Sequence, residues 1–226
     1  MPRVARIAPG GVIFHVLNRA NGRRGIFEKR EDYQAFDRVI ARTTAEVPMR
    51  ILAYCIMPNH WHFVLWPQAD GDLAAFVHRL TTTHVRRWHL HRHSVGTGHL
   101  YQGTFKSFPI QTDDHLFTVC RYVERNALRA GLVQRAEDWE WSSLPTRLGG
   151  QQHLDKPPLS DLPIEVPSNW GEVVNQPMTA TELEAVRVSV GRGRPFGASA
   201  WQIRVARELG LQATFRGRGR PRRGAN

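Results

Sequence analysis

Residues 54–67, YCIMPNHWHFVLWP, constrain the fold of this chain more than any other stretch. Two histidines, His60 and His62, sit inside an otherwise apolar run directly after Pro58-Asn59. Such a run reads as two antiparallel strands joined by a tight turn, 49–57 and 60–66. Side chains alternate along a strand, so His60 and His62 share one face while Trp61, Phe63 and Leu65 enter a core on the other. Imidazole is a common ligand for divalent ions. Two of them on one rigid strand make half of a metal site, although hydrogen-bonded core or surface histidines would look the same.

The elements around this hairpin follow from hydrophobic spacing. Residues 11–18 alternate loosely and read as a strand, followed by a Gly/Arg-rich loop, RANGRRG. Tyr33, Phe36, Val39 and Ile40 recur at helical spacing over 31–44, as do Leu73, Phe76, Val77 and Leu80 in a helix from Asp72 towards Trp88. Residues 103–111, GTFKSFPIQ, read as a fourth strand. Asp113 or Asp114 can cap a helix running to about Leu128 and ending at Gly131. Strand, helix, strand, strand, helix, strand, helix is the order of an α+β domain, an antiparallel sheet with packed helices, expected over residues 1–145. Six prolines between Pro145 and Pro177 mark a connector over 146–180. Residues 181–211 read as a small helical extension, and 212–226 as an Arg/Gly-rich tail expected to be disordered without a partner.

Charge placement points to the partner. From Arg192 onward there are nine arginines, no lysine and one acid, a net of +8 that leaves only +3 of the chain's +11 for residues 1–191. A polyanion is the natural ligand of such a tail. A mean hydropathy of −0.42 and the absence of any long apolar run argue against a membrane span. MPRVARIAPGG lacks the apolar core of a secretory signal. Cys55 and Cys120, in apolar surroundings, read as buried thiols of a reducing compartment, so a cytoplasmic, nucleoid-associated protein is expected. Five histidines between His84 and His99 could bind a metal, but they lack zinc-module spacing and read rather as a wet, basic helix end and loop facing phosphate.

The helix within 113–131 can complete the metal site. Tyr122 and Asn126 are four apart and share a helical face. Docked over the histidine strand, Asn126 could lend an amide oxygen while holding the Tyr122 hydroxyl roughly 6 Å away along the axis. Phosphoryl transfer needs such a set: a divalent ion orienting the phosphodiester and a hydroxyl attacking in line. Mixed N/O ligands suit Mg²⁺ or Mn²⁺, with zinc left open. A tyrosine on an amphipathic helix can equally be packing. Cys120 has no surroundings that would lower its pKa and is not a candidate nucleophile.

MPNHWHFVLWP resembles the His-hydrophobic-His motif of the single-tyrosine HUH transposases, and RYVERNALRAGLV resembles their tyrosine helix. The chain is most similar to the REP-associated tyrosine transposases of bacteria, with further matches in FHVLNRANGRRGIFE, LYQGTFKS, WEWSS and GRPFG…GRGRPRR. The resemblance implies a ferredoxin-like (RRM-like) HUH endonuclease fold, with His60, His62 and Asn126 as metal ligands and Tyr122 as nucleophile. It implies cleavage of single-stranded DNA to a 5′-phosphotyrosine and a free 3′-OH, followed by rejoining, on hairpin-forming palindromes with a short foot, by a monomer or homodimer. One departure is Asn126-Ala127 where Asn-Pro is usual. Arg19, Arg23, Arg24 and Lys106 are candidate DNA contacts, and Arg218, Arg220, Arg222 and Arg223 form a tail clamp whose Arg218–Pro221 core resembles an AT-hook. The competing reading is a non-catalytic regulator that binds palindromic repeats on the same fold; a small-phosphoester metallohydrolase would leave the arginine tail unexplained.

Overall fold

The computed structural model describes residues 7–150 and 155–216. Four strands, β1 (Ile13–Arg19), β2 (Arg50–Met57), β3 (His60–Trp66) and β4 (Lys106–Ile110), form one antiparallel sheet in the order β2-β3-β1-β4. Helices α1 (Arg30–Glu46) and α2 (Asp72–His91) provide the two crossovers. The result is the expected α+β domain, β1-α1-β2-β3-α2-β4, with β1 and β3 in the centre.

The two faces of the sheet carry two cores, as strand alternation requires. Phe14, Val16, Trp61, Phe63 and Leu65 point to α1 and α2 and meet Phe36, Ile40, Phe76 and Leu80. Ile13, Cys55, Val64, Phe108 and Ile110 point the other way, to the helix α3 (Asp114–Glu124) through Leu116, Val119 and Val123. Asp113 caps α3, its carboxylate accepting from the His115 amide at 2.9 Å.

The β2–β3 turn is not of the type a two-residue hairpin favours. Neither Pro58 nor Asn59 has a positive φ, whereas the primed turns that match strand twist require one. The turn is held from outside instead. The Pro58 carbonyl accepts from the Ile26 and Phe27 amides, and the Asn59 carbonyl accepts from the Ala20 amide.

The expected helix to Leu128 is broken at Arg125: α3 ends at Glu124, and one further turn, α4 (Asn126–Arg129), follows. The described residues of the expected connector, 146–150 and 155–180, carry structure of their own. Two short helices, α5 (Leu144–Arg147) and α6 (Trp170–Asn175), bury Leu144, Trp170 and Val174 in the α3-side core. Helix α7 (Ala180–Arg192) continues on that side through Val186. The chain then crosses the outer edge of β4, where Phe196 exchanges backbone hydrogen bonds with Pro109 and Gln111, before α8 (Ser199–Glu208) reaches the opposite core through Val205. The outer edge of β2 is covered too: Ile56 donates to Trp141, Ser143 to Tyr54 and Ser160 to Ile51. Both edges that could template strand pairing with another chain are thus occupied. Among the described residues no helix is long and apolar enough to cross a membrane.

Three polar residues buried in these cores make specific demands. Glu124 is fully buried, and its carboxylate accepts from Ser143 Oγ at 2.6 Å, Arg147 Nε at 3.0 Å and Trp170 Nε1 at 2.7 Å. Glu124→Ala should lower stability by about 3–5 kcal/mol, because it leaves the Arg147 guanidinium buried without its counter-charge; urea unfolding checks this. Buried His15 and His84 have pKa values pushed down to about 3 by loss of solvation. The unfolded chain therefore takes up protons that the native state refuses, so stability is full above the ordinary histidine value and falls as the pH drops towards 3. Each histidine should remove on the order of 2 kcal/mol between about pH 7 and pH 5. His84→Gln should shrink that loss in parallel urea titrations, and a loss of undiminished size would assign the acid sensitivity elsewhere.

Candidate active site

The register of three strands assembles the site. Arg19 of β1 is paired with His60 of β3, Leu17 with His62, and Lys106 of β4 with Leu17. Arg19, His60, His62 and Lys106 therefore rise from the same, α3-side face. The rings of His60 and His62 are 5.0 Å apart between centroids. Tyr122 of the same chain stands edge-on to His62 at 5.8 Å, and Arg129 lies over the tyrosine ring at 4.3 Å. Arg129 Nη2 also donates to Asn126 Oδ1 at 2.6 Å. All four residues singled out from the sequence thus belong to one cluster. The break at Arg125 leaves Asn126 opening the short turn that carries Arg129.

Among the described residues, each histidine of the pair is engaged at one ring nitrogen. His60 Nδ1 lies 2.6 Å from Asn59 Oδ1, an acceptor, so this nitrogen carries the proton. His62 Nδ1 shares a 2.8 Å hydrogen bond with Nε2 of His15. Nε2 of both His60 and His62 is left for another ligand. Desolvation, reinforced by Arg19 and Arg129, lowers the pKa of His60 to about 3. Burial, with His15, His60, Arg129 and Arg19 adding, holds His62 well below its ordinary value. Both rings are neutral near neutral pH, the form that binds a metal.

Two neutral imidazoles and an amide oxygen make a donor set that a divalent ion can use. Asn126 Nδ2 is buried without a partner among the described residues, and such a half-satisfied amide points to something that binds beside it. Its carbonyl oxygen keeps a second lone pair beyond the bond to Arg129. Among the described residues no group of three His, Cys, Asp or Glu side chains could by itself hold a metal ion, so no carboxylate joins the histidine pair to neutralise a dication. The charges that face it, Arg19 and Arg129, are positive. The set fits a metal shared with an anionic ligand such as phosphate.

The remaining candidates divide. Arg19 is at the site, and its Nε is buried without a partner. Lys106 is exposed two strands away from His62 on the same face. Arg24 is turned away, over Trp88 of α2 at 5.1 Å. Arg23 is exposed on the loop that closes over the turn, its carbonyl accepting from Asn59 Nδ2. Arg218, Arg220, Arg222 and Arg223 lie outside the described residues. The histidine cluster departs from expectation in part: His84 and His89 are buried, hydrogen-bonded to Tyr101 and Ser94, and cannot face phosphate. His15, Asn59 and Arg129 escaped the sequence reading. Alternation along 11–18 could have flagged His15 as facing the same side as the histidine pair only once the strand register was known.

Known proteins resemble this chain in sequence and in fold. The model of a family described as IS200-like transposases matches residues 10–126. An Escherichia coli REP-associated tyrosine transposase is 26% identical over 137 residues, covering 59% of this chain and 76% of that protein. A Haemophilus influenzae relative assigned to the same group is 26% identical over 110 residues, covering 45% of this chain; the match spans 62% of that relative's length. A solved REP-associated tyrosine transposase bound to a REP hairpin shares the fold at 19% identity, with a TM-score of 0.53 over 74% of this chain and all of that one. With the family model spanning half of its length, the chain belongs to the IS200-like transposases.

Proposed function

We propose that this chain is a single-strand DNA endonuclease and strand transferase that uses Tyr122 as nucleophile on hairpin-forming palindromic DNA. The observation that carries the reading is the edge-on placement of Tyr122 against His62 of its own chain, with both Nε2 atoms of the histidine pair uncommitted.

His60, His62 and Asn126 would hold Mg²⁺ or Mn²⁺, which supplies Lewis-acid polarisation of the scissile phosphate. The tyrosine Oη forms a bond to phosphorus while the bond to the 3′ oxygen breaks, leaving a 5′-phosphotyrosine and a 3′-hydroxyl. The phenol proton passes to solvent and the leaving oxygen takes one up. A phenolate is a better leaving group than an alkoxide, so a 3′-hydroxyl can reverse the step and rejoin the strand. Arg129 fixes the tyrosine ring by stacking on it and ties that ring to Asn126. Arg19 brings positive charge to the phosphate from the neighbouring strand. The cis placement of the tyrosine and the covered sheet edges support action as a monomer. Hairpin DNA as substrate rests on likeness to the REP-associated relatives.

Incubation with hairpin oligonucleotides carrying unpaired flanks and Mn²⁺ should give a denaturation-resistant protein–DNA adduct. Tyr122→Phe should abolish it while leaving hairpin affinity within about threefold, since the hydroxyl adds little to ground-state binding. An adduct that survives the substitution would identify another nucleophile; hairpin binding with no adduct from any chain would favour a regulator. Removal of residues 217–226, which takes away four arginines, should weaken DNA binding and flatten its salt dependence while sparing adduct formation at saturating DNA. An unchanged salt slope would show that the tail does not touch phosphate.

A further inference from the structure

His15 is in contact with a metal-ligand candidate, and the chemistry above does not use it. It lies on β1, opposite Val64, and therefore diagonal to His62 across the β1–β3 ladder on the same sheet face. Its Nε2 sits 2.8 Å from His62 Nδ1, and both rings are almost wholly buried. The imidazole is stacked on Phe108 with 4.7 Å between centroids, so its plane is set by the core and not by solvent.

A hydrogen bond between two neutral imidazoles contains one proton, carried by one of the two nitrogens. If His62 is to ligate through Nε2, that nitrogen must be bare and the His62 proton must reside on Nδ1. His15 Nε2 must then be the acceptor. With no acceptor at position 15, the proton could sit on His62 Nε2 and block the lone pair, or remain on Nδ1 without a buried partner. The companion ligand follows the same pattern, with Asn59 Oδ1 accepting from His60 Nδ1 at 2.6 Å. One acceptor comes from the residue just before its histidine, the other from a strand 47 positions away in sequence.

We propose that His15 is a positioning residue, accepting from His62 Nδ1 and thereby fixing the tautomer and ring orientation that present His62 Nε2 to a divalent cation. The role depends on the metal site proposed above. Partners of this kind alter metal affinity by roughly 10–100-fold when removed.

The test uses the full chain carrying Tyr122→Phe, bound to a hairpin oligonucleotide so that no cleavage intervenes. Mn²⁺ is titrated and the free ion read by electron paramagnetic resonance, with the oligonucleotide alone as baseline. His15→Leu should raise the Mn²⁺ dissociation constant about 10–100-fold, whereas His15→Gln, whose amide oxygen can accept, should stay within about threefold of the parent. Hairpin affinity in chelator should be the same for all three. In the metal-free parent, ¹⁵N spectra of the imidazole rings should show the His62 proton on Nδ1. The role is overturned if His15→Leu binds Mn²⁺ as tightly as the parent, if His15→Gln is weakened as much as His15→Leu, or if the His62 proton is on Nε2. Should His15→Leu not fold, the Gln variant and the ring spectra, which need no variant, still decide. A parent that takes up no Mn²⁺ beyond the oligonucleotide baseline would instead overturn the metal site itself.

Discussion

Antiparallel pairing of β1 with β3 is the interaction on which the rest depends. Leu17 opposite His62 and Arg19 opposite His60 put the histidine pair, its arginine and its imidazole neighbour on one face. The same ladder sends Phe14, Val16, Trp61, Phe63 and Leu65 into the α1/α2 core. A slip of one residue would reverse both assignments together, turning the aromatics towards α3 and the histidines into the α1/α2 core. The apolar core therefore fixes the register, and the register builds the site; the histidines need no stabilising interaction of their own to be placed.

Chemistry at the site follows from what surrounds it. Burial keeps the imidazoles neutral, and the facing charges, Arg19 and Arg129, are guanidinium groups without a carboxylate at the histidines. A dication held by these protein groups alone would meet only positive neighbours. An anionic phosphate removes that conflict, because it pairs with the arginines and shares the cation. Under the proposed reading, metal and nucleic-acid occupancy would be linked, each binding more tightly in the presence of the other by equal factors.

Much of this was legible in the residues. Alternation about His60 and His62 and the helical spacing of Tyr33, Phe36 and Ile40 are local periodic signals, and each produced the element expected of it. Tyr122 and Asn126 were found because four-residue spacing is read along the chain. What escaped was non-local. Nothing near His15 shows that it will meet His62, because the contact exists only after two strands pair. Arg129 looks like an exposed charge at a helix end until its helix docks and lays it over Tyr122. His84 and His89 looked like a wet, basic cluster because composition does not reveal that Tyr101 and Ser94 supply buried partners. The break at Arg125 has no proline or glycine beside it to announce it.

The segment beyond residue 126, outside the match to the family model, bears directly on Tyr122, the proposed nucleophile. Glu124, two residues after Tyr122, is held by Ser143, Arg147 and Trp170. Arg121 donates to the carbonyls of Gln176 and Pro177, and Arg125 to that of Asn175, at the end of α6. Groups on α3 or at its end, on both sides of the tyrosine, are therefore anchored to the extension, while the tyrosine itself faces the histidines. A nucleophile must stay within a fraction of an ångström of its in-line position to be effective. An eleven-residue helix that ends in a break would not ensure that by packing on a sheet alone. The Pro-rich stretch, which in sequence looks like a mere connector, supplies the missing constraint.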